Sequence, residues 1–552
     1  MNPRWKSISI ATLFAIIITA SVGFVRNDFE LVKNLDIFSS LLRQLDENYV
    51  DEINVNDLVK TSIDAMLEKL DPYTVFYPES DLEEFKLMTT GQYGGIGATI
   101  QQDSDYVIIA EPYEGFPAYE AGLQAGDKIL SIGSKNTKGM TTSDVSNMLK
   151  GQPDTKITLS ILPFGATKPI TKEIIRKEIK FPNVSYFGMY TEELGYIRLD
   201  QFTDNAGNDV KNAFIQLKNK GMKALILDLR GNGGGLLNEA INIVNLFINK
   251  DNVVVSTKGK GRTKSQIFTT QNLALDTKIP IVVLVNGYSA SASEIVAGSL
   301  QDYDRAVIIG QRTFGKGLVQ NIVPLSYNTQ AKITVSKYYI PSGRCIQDVN
   351  YSDKDENGKS KHKDDSLATP FKTKNGRTVY DYGGIEPDIK IEIDPYSTVL
   401  LAMLEKHIIF NYANVFKMKH QSIAPAKDFR ITDEIYNDFV AFVRTKGLQY
   451  ETFTEKQLKG LKASVKDDKF SDNINNVIAT LETTIAQEKE QDLVRYKKEI
   501  SQLLQMEIAS RYYAQKGGIE ASLYIDPELE KAKEIILNEK SYNAILKGNY
   551  AK

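Results

Sequence analysis

The chain has 552 residues, a net charge of −3, 42% apolar residues and 25% charged ones. That is the balance of a globular protein of several domains; it excludes a disordered chain and gives no bulk electrostatic case for binding nucleic acid. Cys345 is the single cysteine, so neither an intrachain disulfide nor a cysteine-based zinc site can form.

The first segment, residues 1–27, carries Arg4 and Lys6 ahead of an uncharged run from Ser7 to Val25. Nineteen such residues are just enough to span a bilayer. The basic flank faces the cytoplasm, so the remainder reads as exported to the periplasm or another extracytoplasmic space. An uncleaved membrane anchor is preferred over a signal segment, because no clean Ala-x-Ala site follows. Residues 28–92 read as helical. Leu31, Leu35, Phe38, Leu42, Leu45 and Tyr49 step by four and three, one face of an amphipathic helix. A second helix runs from about Val55 to Leu70 and stops at Asp71-Pro72. The near-heptad spacing offers a surface for homo-oligomers, beside the plainer reading of a packed helical pair.

Residues 93–172 read as a small separate module. Gly94, Gly95 and Gly97 form a glycine-rich loop that leads into the strand Ala98-Thr99-Ile100. A short helix follows at Pro117–Gly122, then a longer one over Thr141–Lys150 with Thr142 or Ser143 as its cap and Gly151 as its stop. Ile157, Leu159 and Ile161 alternate in a closing strand. This order suits capture of a protein's C-terminus: the amides of Gly95, Ile96, Gly97 and Ala98 take the carboxylate, and the tail adds as a strand.

Residues 173–398 alternate strands with helices, an α/β layer. Ala224–Leu229 is a strand leading into Arg230-Gly231-Asn232-Gly233-Gly234-Gly235. The glycines there fit neither a dinucleotide fingerprint nor a phosphate loop. Ile279–Val285 is a second buried strand, followed by Asn286–Glu294 and a helix. Ser352–Arg377, dense in Lys, Asp, Gly and Asn, reads as an exposed loop insertion. From 399 to 552 the pattern is helical, one long amphipathic stretch ending at Gly517-Gly518, and it reads as a packed appendage without a catalytic constellation.

The chemistry concentrates after the second strand. Ser289, Ser291 and Ser293 stand at a strand-to-helix turn, where unpaired helix amides favour developing negative charge; local sequence does not choose among them. Lys316 follows between Gly315 and Gly317, and a serine with a neutral lysine base is a known nucleophile arrangement. Gln320 could orient the amine, provided the chain bends at Gly317, since four strand residues span about 13 Å. The amide of Ala292 and one from Gly233-Gly234-Gly235 could bind an oxyanion. A Ser–His–Asp triad would need His362, His407 or His420 brought back to Ser291, and none shows metal-ligand spacing.

Seven segments together resemble the C-terminal processing peptidases, or tail-specific proteases, over about Phe38 to Pro395. They are Leu70–Thr74, Gly95–Ala98, Ala121–Asp127, Asp228–Asn232, Ser289–Glu294, Thr313–Gln320 and Gly383–Asp388. The resemblance implies a multidomain α/β protein: a crotonase-like protease core, an inserted PDZ-like domain, N-terminal helices and a helical C-terminal region. It selects Ser291 as nucleophile, Lys316 as base and Gln320 as helper. It implies an oxyanion hole from Ala292 with Gly235 or Gly234, a serine endopeptidase acting on proteins with exposed C-terminal tails, and no metal or cofactor. The alternative is a non-catalytic tail-binding scaffold of the same fold. The charged insertion and the long helical C-terminal region depart from the family's pattern.

Overall fold

A computed structural model describes residues 29–79, 91–260, 265–354, 360–468 and 472–550. The uncharged run at 7–25 lies outside them; among the described residues no helix is long and apolar enough to cross a membrane. They fall into two compact units, one holding the residues up to Phe76 with Ile322–Ile333, the other Tyr77–Asn321 with Thr334–Lys552. In the first unit, helices cover 29–48 and Val55–Glu68, and Asn54 caps the second through its side chain. Asp71 accepts from the amides of Tyr73 and Thr74, so the proline motif that ends this helix is an aspartate-closed turn.

The second unit contains the small module and the α/β core. In the module, antiparallel strands Ala98–Asp103, Tyr106–Pro112, Lys128–Ile132, Lys156–Leu162 and Ile170–Ile175 lie side by side in that order. The Thr142–Leu149 helix buries Val145 and Leu149 against Val107, Ile109, Ile129 and Ile157. Its cap is Thr141, one residue earlier than expected, because only there can the hydroxyl take the amide of Asp144 while Asp144 takes the amide of Thr141.

Two boundaries move. The expected end of the module at 172 falls inside the Ile170–Ile175 strand, and just beyond it Lys177–Lys180 pairs with Gln92–Gly95 in a separate two-stranded sheet. The first glycines of the expected loop are therefore strand. Gly94 is small for packing, since a Cβ there would lie 2.0 Å from the carbonyl oxygen of Gly151.

The core is a six-stranded sheet in the order Val184–Met189, Leu194–Leu199, Ala224–Asp228, Ile281–Val285, Val307–Gly310, Ile389–Lys390, antiparallel only in its first pair. Such a sheet needs both faces covered. One face, with Leu225, Leu227, Val283 and Val285, packs on helices Ala206–Asn219, Leu237–Asn245 and Ala292–Asp302. The other, with Tyr196, Ile226, Val282 and Leu284, is covered by Leu529, Ile535, Ile536 and Ile545. These belong to helices Pro527–Leu537 and Glu539–Leu546. The C-terminal region is thus a structural layer of the core as well as a cluster of its own around Phe439, Leu504 and Ile508. Its long stretch is also broken. The Lys497–Leu523 segment leaves helical geometry at Tyr513 and Ala514, and Gly517 lies beyond that break, where a Cβ would meet Tyr513 at 2.1 Å.

The charged insertion is not a simple exposed loop. It holds the antiparallel pairs Val349–Lys354 with Ser360–His362 and Pro370–Lys372 with Thr378–Tyr380. Its last residue, Arg377, is buried between Asp304 and Asp388, each 2.5 Å away. Charge density hid an ion-paired anchor. Replacing Arg377 by alanine leaves two buried carboxylates without their cation and is expected to lower stability by about 3 kcal/mol. A drop in the urea unfolding midpoint measures it; an unchanged midpoint would mean the anchor carries no weight.

Candidate active site

Ser291 is the N-cap of the Ala292–Asp302 helix, after the turn that follows the five-residue strand Ile281–Val285, which is buried throughout. Its backbone sits at φ +55°, a strained conformation for a residue with a Cβ. Its two neighbours are occupied. Ser289 is fully buried and donates to the Leu229 carbonyl, and Ser293, equally buried, donates to that of Asn232. Ser291 alone of the three is only half-buried.

Lys316 lies in the connection from Val307–Gly310 to Leu318–Pro324. What joins it to Ser291 is Glu294, whose carboxylate is fully buried one helical turn beyond the serine. One oxygen, Oε2, accepts from the amides of both Ser291 (2.8 Å) and Lys316 (2.9 Å). The other accepts from the Gly315 amide (2.8 Å) and the Thr313 hydroxyl (2.6 Å). From the opposite side the buried Tyr338 hydroxyl lies 2.6 Å from the Lys316 carbonyl and 3.1 Å from that of Ser291. Burial raises this phenol well above its ordinary range, so it stays a donor.

The glycines beside Lys316 fit the same loop to its surroundings. Gly315 has φ +85°, and a Cβ on Gly317 would lie 2.7 Å from the Gln347 amide nitrogen. The Gly383–Asp388 motif holds the loop from behind: the Ile385 amide donates to Thr313 Oγ1 at 2.6 Å, and the Thr313 amide returns to the Ile385 carbonyl.

The Asp228–Asn232 motif forms the wall next to the serine. Asn232 takes the Ala290 amide on its carbonyl and the Gly234 amide on its side chain. Gly234 comes so close that a Cβ would sit 2.8 Å from both Ser291 Cβ and the Ala292 nitrogen. Of the two candidate glycine donors, Gly234 is therefore engaged. The amides of exposed Gly235 and of Ala292 have no acceptor among the described residues. Arg230 pairs with Asp228 and reaches across to Asp526 (2.7 Å) and Glu528 of the C-terminal helices. The sequence reading missed these two acids, because nothing in their local pattern points back to Arg230, 298 residues before Glu528.

Gln320, on the Leu318–Pro324 strand, donates its amide to Thr334 Oγ1 at 3.3 Å. The histidines have other partners: His362 bonds Asp348, His407 the Gln102 carbonyl and His420 the Phe416 carbonyl. In the module, the carbonyls of Ile96 and Gly97 are taken by the amides of Ala118 and Tyr113. The amides of Ile96 and Gly97 have no acceptor among the described residues, and Gly97 turns at φ +72° over Phe116. Ala98 opens the edge strand of the sheet.

Three family models match the chain: peptidase family S41 over residues 193–352, a PDZ domain over 108–163, and the C-terminal helical domain of a probable PDZ-protease over 399–536. A carboxy-terminal-processing protease of Bartonella bacilliformis is 36% identical over 61% of this chain and 77% of its own. A probable CtpA-like serine protease of Staphylococcus aureus is 32% identical over 62% of this chain and 70% of its own. The solved photosystem II D1 C-terminal processing protease is 28% identical, with a TM-score of 0.35, over 64% of this chain and 92% of that one.

Burial pushes the Glu294 carboxyl from its ordinary 4.5 up to about 7, against the pull of its four donors. Between those values the folded chain holds a proton that the unfolded chain has released. Its contribution to stability is therefore full below pH 4.5 and falls as pH rises toward 7. At roughly 1.36 kcal/mol per pKa unit the fall is about 3 kcal/mol. Urea midpoints across this window should show that slope in the wild type and lose it in Glu294→Gln; equal slopes would contradict it.

Proposed function

Because this chain belongs to peptidase family S41, with the carboxy-terminal-processing proteases as its relatives, we propose that it cuts proteins by a Ser291–Lys316 acyl-enzyme route after its PDZ domain has taken hold of their C-terminal tails. It is a serine-type peptidase with a PDZ domain. The observation that carries the mechanism is the single Glu294 oxygen shared by the amides of Ser291 and Lys316. A rigid link of this kind holds nucleophile and base in one register, and positioning of that sort is where much of the rate of acyl transfer comes from.

In this reading neutral Lys316 takes the Ser291 proton as Oγ attacks the scissile carbonyl. The tetrahedral oxyanion forms against the amides of Ala292 and Gly235, neither of which has an acceptor among the described residues. Lys316 then returns the proton to the leaving amine, and the acyl-enzyme is hydrolysed by water with the same lysine as base. Gln320 helps to orient the lysine. The full burial of Ser289 and Ser293 supports Ser291 as the attacking hydroxyl.

The tail's carboxylate meets the unpaired amides of Ile96 and Gly97, and its last residues extend the sheet along Ala98–Asp103. The uncharged run behind Arg4 and Lys6 supports anchoring in the cytoplasmic membrane, with the peptidase on its outer side. The exposed apolar positions Leu31, Leu35 and Phe38 are the part of the chain suited to forming a homo-oligomer.

Two measurements test the proposal. On an unfolded protein with an apolar tail, Ser291→Ala and Lys316→Ala should each lose at least about a thousandfold in kcat; cleavage by Ser291→Ala at the wild-type rate would overturn the mechanism. Gly97→Ala, whose Cβ would meet Phe116 at 2.4 Å, should depress turnover of tailed proteins far more than of short peptides. Equal loss on both would remove the tail-binding half.

A further inference from the structure

The edge strand Ala98–Asp103 is met by a residue from a distant part of the chain. Among the described residues it has a neighbour only on the Tyr106–Pro112 side. At its tip, Asp103 faces Tyr106 across the two-residue turn Ser104-Asp105, and Gln102 faces Val107. In an antiparallel pair, bonded and non-bonded positions alternate, and the pair closing a two-residue turn is bonded. Gln102 therefore points its backbone N–H and C=O outward, to the edge where an added strand must pair.

That carbonyl is already engaged. His407 Nε2 lies 3.0 Å from it. His407 sits at φ +54° between helices Thr398–Glu405 and Ile408–Lys419, its ring edge-on to Phe410. Its position is well defined, because the same helix packs on the module: a Cβ on Gly126 would lie 2.5 Å from Asn414 Nδ2. These helices also cover the back of the sheet, where Thr99, Gln101 and Glu111 share a cavity with Met403, His407 and Arg511. On the front, the Thr142 hydroxyl holds the Gln102 side chain at 3.4 Å.

We propose that His407 is the end-stop of the tail groove and fixes how much of a substrate's C-terminus is read. The inference rests on the tail-binding reading above. A tail running antiparallel from the Ile96-Gly97 amides has only Ala98 to Gln101 to pair with before it reaches the occupied Gln102 carbonyl, about four residues at strand spacing. Residues further upstream must leave the sheet there. Recognition is thereby confined to the last few side chains of a substrate, and the helical C-terminal region sets the limit.

The test uses the full chain carrying Ser291→Ala, so that nothing is cut, and labelled apolar-ended peptides of about three to eight residues. With His407 present, affinity should rise up to about four residues and then stay within about twofold. Glycine accepts the positive φ, so His407→Gly removes the imidazole without backbone strain. In that variant, affinity should keep rising, by roughly tenfold from four to eight residues, as new strand bonds form. His407→Asn, which also tolerates this backbone conformation and has a shorter side chain, should behave like the glycine variant. A continued rise with His407 present, or the same plateau in both variants, would overturn the end-stop while leaving tail binding intact. If no peptide binds any of the chains, the tail-binding reading itself fails and the end-stop with it.

Discussion

A single buried carboxylate organises the catalytic half of this protein. Glu294 receives four donors from two separate chain segments, and two of those donors are the backbone amides of Ser291 and Lys316. A carboxylate held away from water is costly unless its oxygens are bonded, so the loop carrying the lysine must close on it for the core to be satisfied. The strained φ at Ser291 persists because the helix start, the Glu294 bond and the Asn232 loop determine it together. Tyr338 secures the same two residues through their carbonyls, so the register of serine and lysine is fixed from both sides.

The second organising fact is that a mostly parallel sheet needs two covers. Helices from within the core supply one, and Pro527–Leu537 with Glu539–Leu546 supply the other. The chain's last two helices therefore reach the core sheet physically. Asp526 and Glu528 at the start of that cover engage Arg230, and Arg230 begins the loop whose Asn232 and Gly234 stand against Ser291. The same helical region lies over the PDZ module at Gly126 and Gln102. One segment thus contacts both the PDZ module and the loop beside Ser291.

The seven segments that carry the resemblance acquire separate physical tasks. Asp71 closes a turn and Asp127 ties the Gln124 and Phe164 amides. Gly383–Asp388 braces the lysine loop through Thr313. Most of these tasks are backbone hydrogen bonds made by small or acidic side chains. Such bonds leave a strong local signature in residue type and no signature of the partner. That is why the sequence places Glu294 within a motif but does not reveal its partners.

What the sequence alone determined follows from local patterning: helices from three-and-four spacing, the buried strand that the structure bounds at Ile281–Val285, the serine turn after it, and the glycines at Gly97 and Gly315. It could not choose among Ser289, Ser291 and Ser293 without the family resemblance, because all three are small, polar and adjacent. Only tertiary contacts bury two of them and leave the third half-exposed. Contacts also decided which strands complete the module, that Arg377 is an anchor within a charged insertion, and that the C-terminal helices form a face of the core. Each of these depends on residues far apart in the chain, and burial and pairing at that range are set by where the sheet's second face falls, which no local period encodes.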